Sequence, residues 1–194
     1  MLAFRRITSI LFFVLSLSFL ACALPTPAAS SNALAIRDPG ADLLNICANL
    51  EADVKAKVDL IAQVDVKILA DIEVHVIAIV DIITVAAKAI IALGVKLDIN
   101  ADIKAQIAVH IAAVIRLIVN LCITLVAKLG VDVMLALLAK IDLCLQLLLA
   151  NLAIVIEGIV VLVVKLLVDI TVTVFVNLHL NLILSVLGLV NISL

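Results

Sequence analysis

The side chains with chemistry to offer are few and scattered. His75, His110 and His179 lie far apart in the chain, each between apolar neighbours. A metal site needs His, Cys or carboxylates brought together, and its usual mark in sequence is a short paired spacing. No CxxC or Cys/His spacing of that kind occurs. Each His therefore reads as a satisfied or surface-facing residue, and no metal is expected. Glu73 and His75 are two apart, so they share a face only in a strand and do not signal a catalytic dyad. GxSxG, HExxH, Walker and GxGxxG motifs are all missing. Catalysis is not expected, and neither is a cofactor.

Four cysteines occur, at positions 22, 47, 122 and 144. Cys22 falls in an N-terminal signal-like segment, which leaves Cys47, Cys122 and Cys144. In an oxidising compartment an odd number implies one internal bridge plus a free or intermolecular thiol. Cys122–Cys144 would join neighbouring segments, but the sequence does not fix the pairing, and three buried reduced thiols are the competing reading. Asn191-Ile192-Ser193 is a formal N-glycosylation sequon close to the C-terminus, where low occupancy is expected.

The N-terminus reads as a secretory signal over residues 1–23. Arg5 and Arg6 are followed by the apolar run "ITSILFFVLSLSFLA", and Ala21-Cys22-Ala23 forms a small-x-small cleavage site. Residues 24–40, beginning "LPTPAASS", read as a flexible leader or propeptide. The remaining 41–194 form a single expected domain, large enough for a sizeable core.

Composition narrows the functional classes. Hydrophobic residues make up 67% of the chain, against roughly 45–50% in ordinary soluble domains. After the signal, 9 Lys and 2 Arg stand against 12 Asp and 3 Glu, a net charge of −4, and Phe175 is the single aromatic. Such a chain has neither a basic patch nor a stacking platform, so nucleic acid is not an expected partner. Charge is unevenly spread: residues 41–110 hold 10 acidic and 6 basic residues, and residues 111–194 hold only 4 of each. The first part is amphipathic and the second very apolar.

The elements that would carry these residues are signalled ambiguously. Period-2 alternation marks "EADVKAKVD", "DIEVHV" and above all "ITVTVFVNLHLNLILSV" from Ile170 to Val186, which favours strands. An all-β chain, however, needs frequent turns, and after Pro39 there is no proline and only Gly40, Gly94, Gly130, Gly158 and Gly188. Positions 43, 47, 50, 54, 58, 61, 64, 68, 72, 76, 79, 83, 86, 90 and 93 follow a 3.6 spacing and all are apolar. Asn100 suits an N-cap with Asp102 in the first turn, and Gly94 and Gly130 suit C-caps. The reading is all-α, a bundle of long apolar helices, with a β-rich fold as the alternative. Ile170–Val186 is then the last, nearly buried helix. A faint repeat at an offset of 36 aligns Gly94, Val95 and Lys104 with Gly130, Val131 and Lys140. The charge runs Glu51–Lys57 and Asp98–Lys104 read as solvated faces, with pairs such as Glu51–Lys55 and Lys55–Asp59.

Three windows, about 105–127, 143–164 and 170–190, are long enough to span a bilayer. Each contains groups that are costly there: Arg116, Glu157, and the trio Asn177, His179 and Asn181. Flanking Lys/Arg clusters and an aromatic belt are missing. A multi-span membrane protein is the second expectation, and a lipid carrier a weaker third. The first is an amphiphilic chain whose unburied apolar surface associates with copies of itself, with a wall matrix or with an air–water interface.

The segments "ACALPTP" and "DLLNICANLEADV", in a chain with a hydrophilic first half and a very hydrophobic second half, resemble a small family of secreted hydrophobic structural cell-wall proteins of mushroom-forming fungi. The likeness is one of architecture over the whole chain. It implies a protein of aerial hyphae and attachment that coats or cements hyphal surfaces. The eight-cysteine pattern of hydrophobins is absent, so the chain is not one of those.

Overall fold

The structure, a computed structural model, describes residues 38–63 and 69–189. The signal-like segment 1–23, most of the leader 24–40 and the sequon at Asn191 lie outside the described residues. The chain divides after Ile36, and every described residue belongs to the unit Arg37–Leu194.

The described residues contain helices and no strands. Four are long: α1 Pro39–Gln63, α2 Leu69–Ala92, α3 Ala101–Leu129 and α4 Val131–Val155. Three short ones follow: α5 Ile159–Leu166, α6 Val172–Asn177 and α7 Asn181–Val186. α1 packs on α2 and α3, α2 on α4, and α3 on α4 and α5, while α7 closes against α4 and α6. The fold is all-α, and the β-rich alternative is overturned.

Of the apolar register read from the sequence, positions 64 and 68 lie outside the described residues, Val58 and Leu93 are half-buried, and the rest are buried. Leu43, Cys47, Leu50, Val54 and Ile61 form the inner face of α1, and Ile72, Val76, Ile79, Ile83, Ala86 and Ile90 that of α2. Period-2 alternation in "EADVKAKVD" and "DIEVHV" is thus a solvent-facing pattern laid over a 3.6 spacing, because helix packing selects one side chain every three or four residues. α3 and α4 add the rest of the main core, among them Ile111, Ile115, Ile118, Leu138, Leu145 and Leu148.

The caps follow local chemistry. Asn100 accepts the Asp102 backbone N–H through its side chain at 2.9 Å and starts α3, as expected of that residue. Gly130 ends α3 and begins α4 in one residue at φ 88°. At the far end of α4, the linker after α2 supplies the missing donors. Lys96 N–H and Leu97 N–H donate to the carbonyls of Ile154 and Val155 at 3.1 and 2.8 Å, and Lys104 Nζ donates to that of Glu157.

The stretch from Ile170 to Val186 is not the single core helix expected. It forms α6 and α7, separated by Leu178, His179 and Leu180. His179 takes a left-handed conformation at φ 56°. There Leu180 N–H bonds to Phe175 C=O and His179 N–H to Val176 C=O, while Phe175 and Leu180 are both fully buried. That is a Schellman stop with its hydrophobic contact, carried by His in place of glycine. The same stop closes α7, with Gly188 at φ 71° and bonds from Gly188 N–H to Ser185 and Leu189 N–H to Leu184. The alternating polar residues Thr171, Thr173, Asn177, His179, Asn181 and Ser185 are all exposed. One continuous helix would wind those positions around its axis into the core, so the chain breaks and re-aims them.

Position 179 tests this account. Glycine relieves the cost of a side chain at positive φ, of about 1–2 kcal/mol, against an entropy loss of about 0.5–1 kcal/mol. His179→Gly is expected to stabilise the fold slightly in urea denaturation, and His179→Val to destabilise it by about 1 kcal/mol or more.

Candidate functional site

The structure scatters the residues that chemistry would need to gather. His75 lies on α2, His110 on α3 and His179 between α6 and α7. Among the described residues no three His, Cys, Asp or Glu side chains form a metal-holding group. His110 Nδ1 meets Glu51 Oε2 at 2.6 Å, joining α3 to α1. Glu51 turns across to His110 on the neighbouring helix in place of the expected pair with Lys55, and the expected Lys55–Asp59 pair does not form either.

Cys47, Cys122 and Cys144 are free thiols on α1, α3 and α4, all buried. Burial pushes each up to about 12, with the neighbouring Cys144 adding to the rise at Cys122. Cys144 Sγ donates to the Ile141 carbonyl at 3.1 Å. No bridge links the three here, and they pack as small core residues.

Three polar anchors tie the apolar helices together. Asp142 is the one charged residue buried among those described, 3% exposed. Its two oxygens accept the backbone N–H groups of Leu182 and Ile183 at 2.8 and 2.9 Å, so a carboxylate on α4 holds the first turn of α7. Asn151 Nδ2 donates to the Ala87 carbonyl at 2.8 Å, joining α4 to α2. Arg116 on α3 grips Asp169 with two donors, Nε and Nη2, each at 2.9 Å to a different oxygen, and Nη2 also donates to Leu166 C=O at the end of α5. The side-chain hydrogen bond from Arg116 lowers the Asp169 pKa, and the same contact raises that of Arg116. A lowered folded pKa means that the contact contributes fully above the ordinary carboxylate range and is lost as pH falls through the lowered value.

Sequence reasoning missed Asp142 as an anchor. The signal was present: Asp142 is four residues after Leu138 and seven before Leu149, both core positions of α4.

The surface carries what the core cannot take. Fifteen large hydrophobic side chains are exposed among the described residues, among them Val74, Val85, Leu143, Ile154, Val161 and Val168. Shallow apolar grooves run between α1 and α2, at Ile46, Leu50, Ile82, Val85 and Ala89, and between α1 and α3, at Val58, Ile61, Leu121 and Leu125. No known family model, curated protein or solved structure matches this chain.

α2, α3 and α4 are long and apolar enough to cross a membrane. The windows read from sequence shift accordingly. Window 143–164 is interrupted where Ile156 turns extended and Gly158 left-handed, 170–190 is broken by His179, and α2 joins the set. Outward charges punctuate these helices. On α2, Glu73, Asp81 and Lys88 are exposed, and on α3 Lys104 and Arg116 are half-exposed and Lys128 fully so. The charge-free intervals are therefore about 12 Å on α2 and about 18 Å on α3, short of a hydrocarbon core of about 30 Å. On α4, no outward charge follows Lys140 as far as the helix end at Val155, an interval of about 22 Å.

Two outcomes follow from these contacts. Asp142→Ala strips the cap from α7 and should cost about 2 kcal/mol of unfolding free energy, with most of the helix signal kept in circular dichroism. The three thiols should resist a thiol reagent at pH 8 in buffer and react together in denaturant, since both burial and a raised pKa suppress the thiolate.

Proposed function

We propose that this protein is a secreted, non-catalytic structural protein whose bundle folds in water and self-associates through the apolar residues left on its surface, coating or cementing a fungal cell wall or hyphal surface. The observation that carries the reading is the coexistence of a satisfied interior with an apolar exterior. The buried side-chain N and O atoms described all have hydrogen-bond partners, while fifteen large hydrophobics face outward. Burial stabilises by about 25 cal/mol per Å², so a few hundred Å² of such surface is enough to drive association. The compartment rests on the signal-like N-terminus, and the wall setting on the resemblance in architecture.

A multi-span membrane protein is the second reading, favoured by the length and apolarity of α2, α3 and α4. The exposed charges midway along α2 and α3 weigh against it, since a charge at the bilayer centre costs about 2.5–3.5 kcal/mol on insertion scales.

The two part at an interface. The purified protein, handled without detergent, should adsorb to an air–water surface, raise the surface pressure and keep its helical circular dichroism. A protein that stays monomeric and leaves the surface pressure unchanged would overturn the reading.

A further inference from the structure

Two exposed features of the bundle are complementary. The first is the open groove between α1 and α2, a space of about 400 Å³ walled by Ile46, Leu50, Ile82, Val85 and Ala89. Residues 64–68 connect the two helices, which run antiparallel, so Asp53 on α1 and Asp81 on α2 flank the same end of it. Both carboxylates are exposed, and neither has a hydrogen-bond or ion-pair partner among the described residues. No basic side chain among the described residues lines the groove. It is therefore acidic at one end and apolar for about 10 Å beyond, the rise of the helix from Asp53 back to Ile46.

The second feature is the outward face of α4. Lys140 is exposed, and Leu143 and Leu147 follow it three and seven residues on, 59% and 38% accessible. No outward charge follows before the helix ends at Val155. Anchors at i, i+3 and i+7 are those by which a helix lies in a groove, and Lys140 to Leu147 also spans about 10 Å. The other exposed lysines outside α1 and α2 are less suited among the described residues. Lys96 lies in a linker, the α3 face before Lys128 is broken by exposed Asn120 and Thr124, and Lys165 sits on the eight-residue α5.

We infer that α4 of a second copy occupies the α1–α2 groove, with Lys140 between Asp53 and Asp81 and with Leu143 and Leu147 on the apolar walls. The inference rests on the self-association proposed above and gives it a specific interface. A copy cannot fill its own groove in this way, because the other side of its α4 is packed on α2. The contact is head to tail: each copy offers one groove and one α4 face, and the two are different surfaces. Such contacts propagate unless the rotation closes them into a ring, which suits a coating layer.

Exposed charge pairs add little affinity, whereas like charges in their place repel, so the test reverses charge. It is sedimentation equilibrium of the full protein in detergent-free buffer. Wild type should form oligomers. Lys140→Glu alters the α4 face alone, and the paired change Asp53→Lys with Asp81→Lys alters the groove alone. Each should raise the dissociation constant about tenfold or more, while Lys165→Glu, outside the contact, should leave it within about threefold of wild type. All these positions are exposed, so the helical circular dichroism should be unchanged. Mixed in equal amounts, the two impaired proteins should associate again to within about threefold of wild type, because each reversed surface finds its opposite on the other protein. A monomeric wild type overturns the inference together with the self-association reading. Oligomers that ignore either reversal, a loss at Lys165→Glu equal to that at Lys140→Glu, or impaired proteins that stay apart when mixed overturn the inference alone. Association seen only when phosphatidylcholine vesicles are added, and insensitive to the charges, overturns it by assigning the α4 face to lipid.

Discussion

A helix in water can hide only the side that it turns to its neighbours. In this chain two residues in three are hydrophobic, so α2, α3 and α4 each carry large apolar side chains on faces that the bundle does not cover. The position of the few charges then decides the outcome. They occupy the outward faces of α1, α2 and α3 at short intervals, and those faces tolerate water because of them. α4 is the helix on which the interval is widest, and Leu143, Leu147 and Ile154 stand exposed along it.

The same scarcity of polar groups explains how the fold is fastened. With one buried charge among the described residues, Asp142, the interior has little that needs satisfying, and that carboxylate is fully used as the cap of α7. The second polar investment lies at helix ends. The linker amides of Lys96 and Leu97 close the last turn of α4, Arg116 closes α5 and grips Asp169, and His179 and Gly188 stop α6 and α7. Apolar packing selects no unique register among Leu, Val and Ile side chains of similar size. The anchors at Asp142, Asn151 and Arg116 tie named positions on different helices together, and so specify which of many similar packings the chain adopts.

Much of the architecture was readable from residue spacing. The apolar positions from Leu43 to Ile90 name the buried faces of α1 and α2, and Asn100 marks the start of α3 by its side-chain chemistry. The Ile170–Val186 segment was not readable as it folds. Its period-2 pattern argues for a strand and its length for a long helix, whereas two Schellman stops satisfy both the exposed polar positions and the helical spacing of Phe175, Leu178, Ile183 and Leu187. A left-handed His has no mark in sequence, since Asn and Gly are the residues that announce such a turn. The choice of His110 as the partner of Glu51 was hidden for a different reason. The two are 59 positions apart, and only the packing of α1 on α3 brings them together.

What the surface is for depends on whether this amount of exposed hydrophobicity meets water or lipid in the cell. Fractionation of a secreting host, without detergent in the first extraction, tests that most directly. The account predicts recovery from the medium or the cell-wall fraction, beginning near Leu24 or shortly after, with a helical spectrum. Recovery only from detergent-solubilised membranes would contradict it, and would place α2, α3 and α4 across a bilayer.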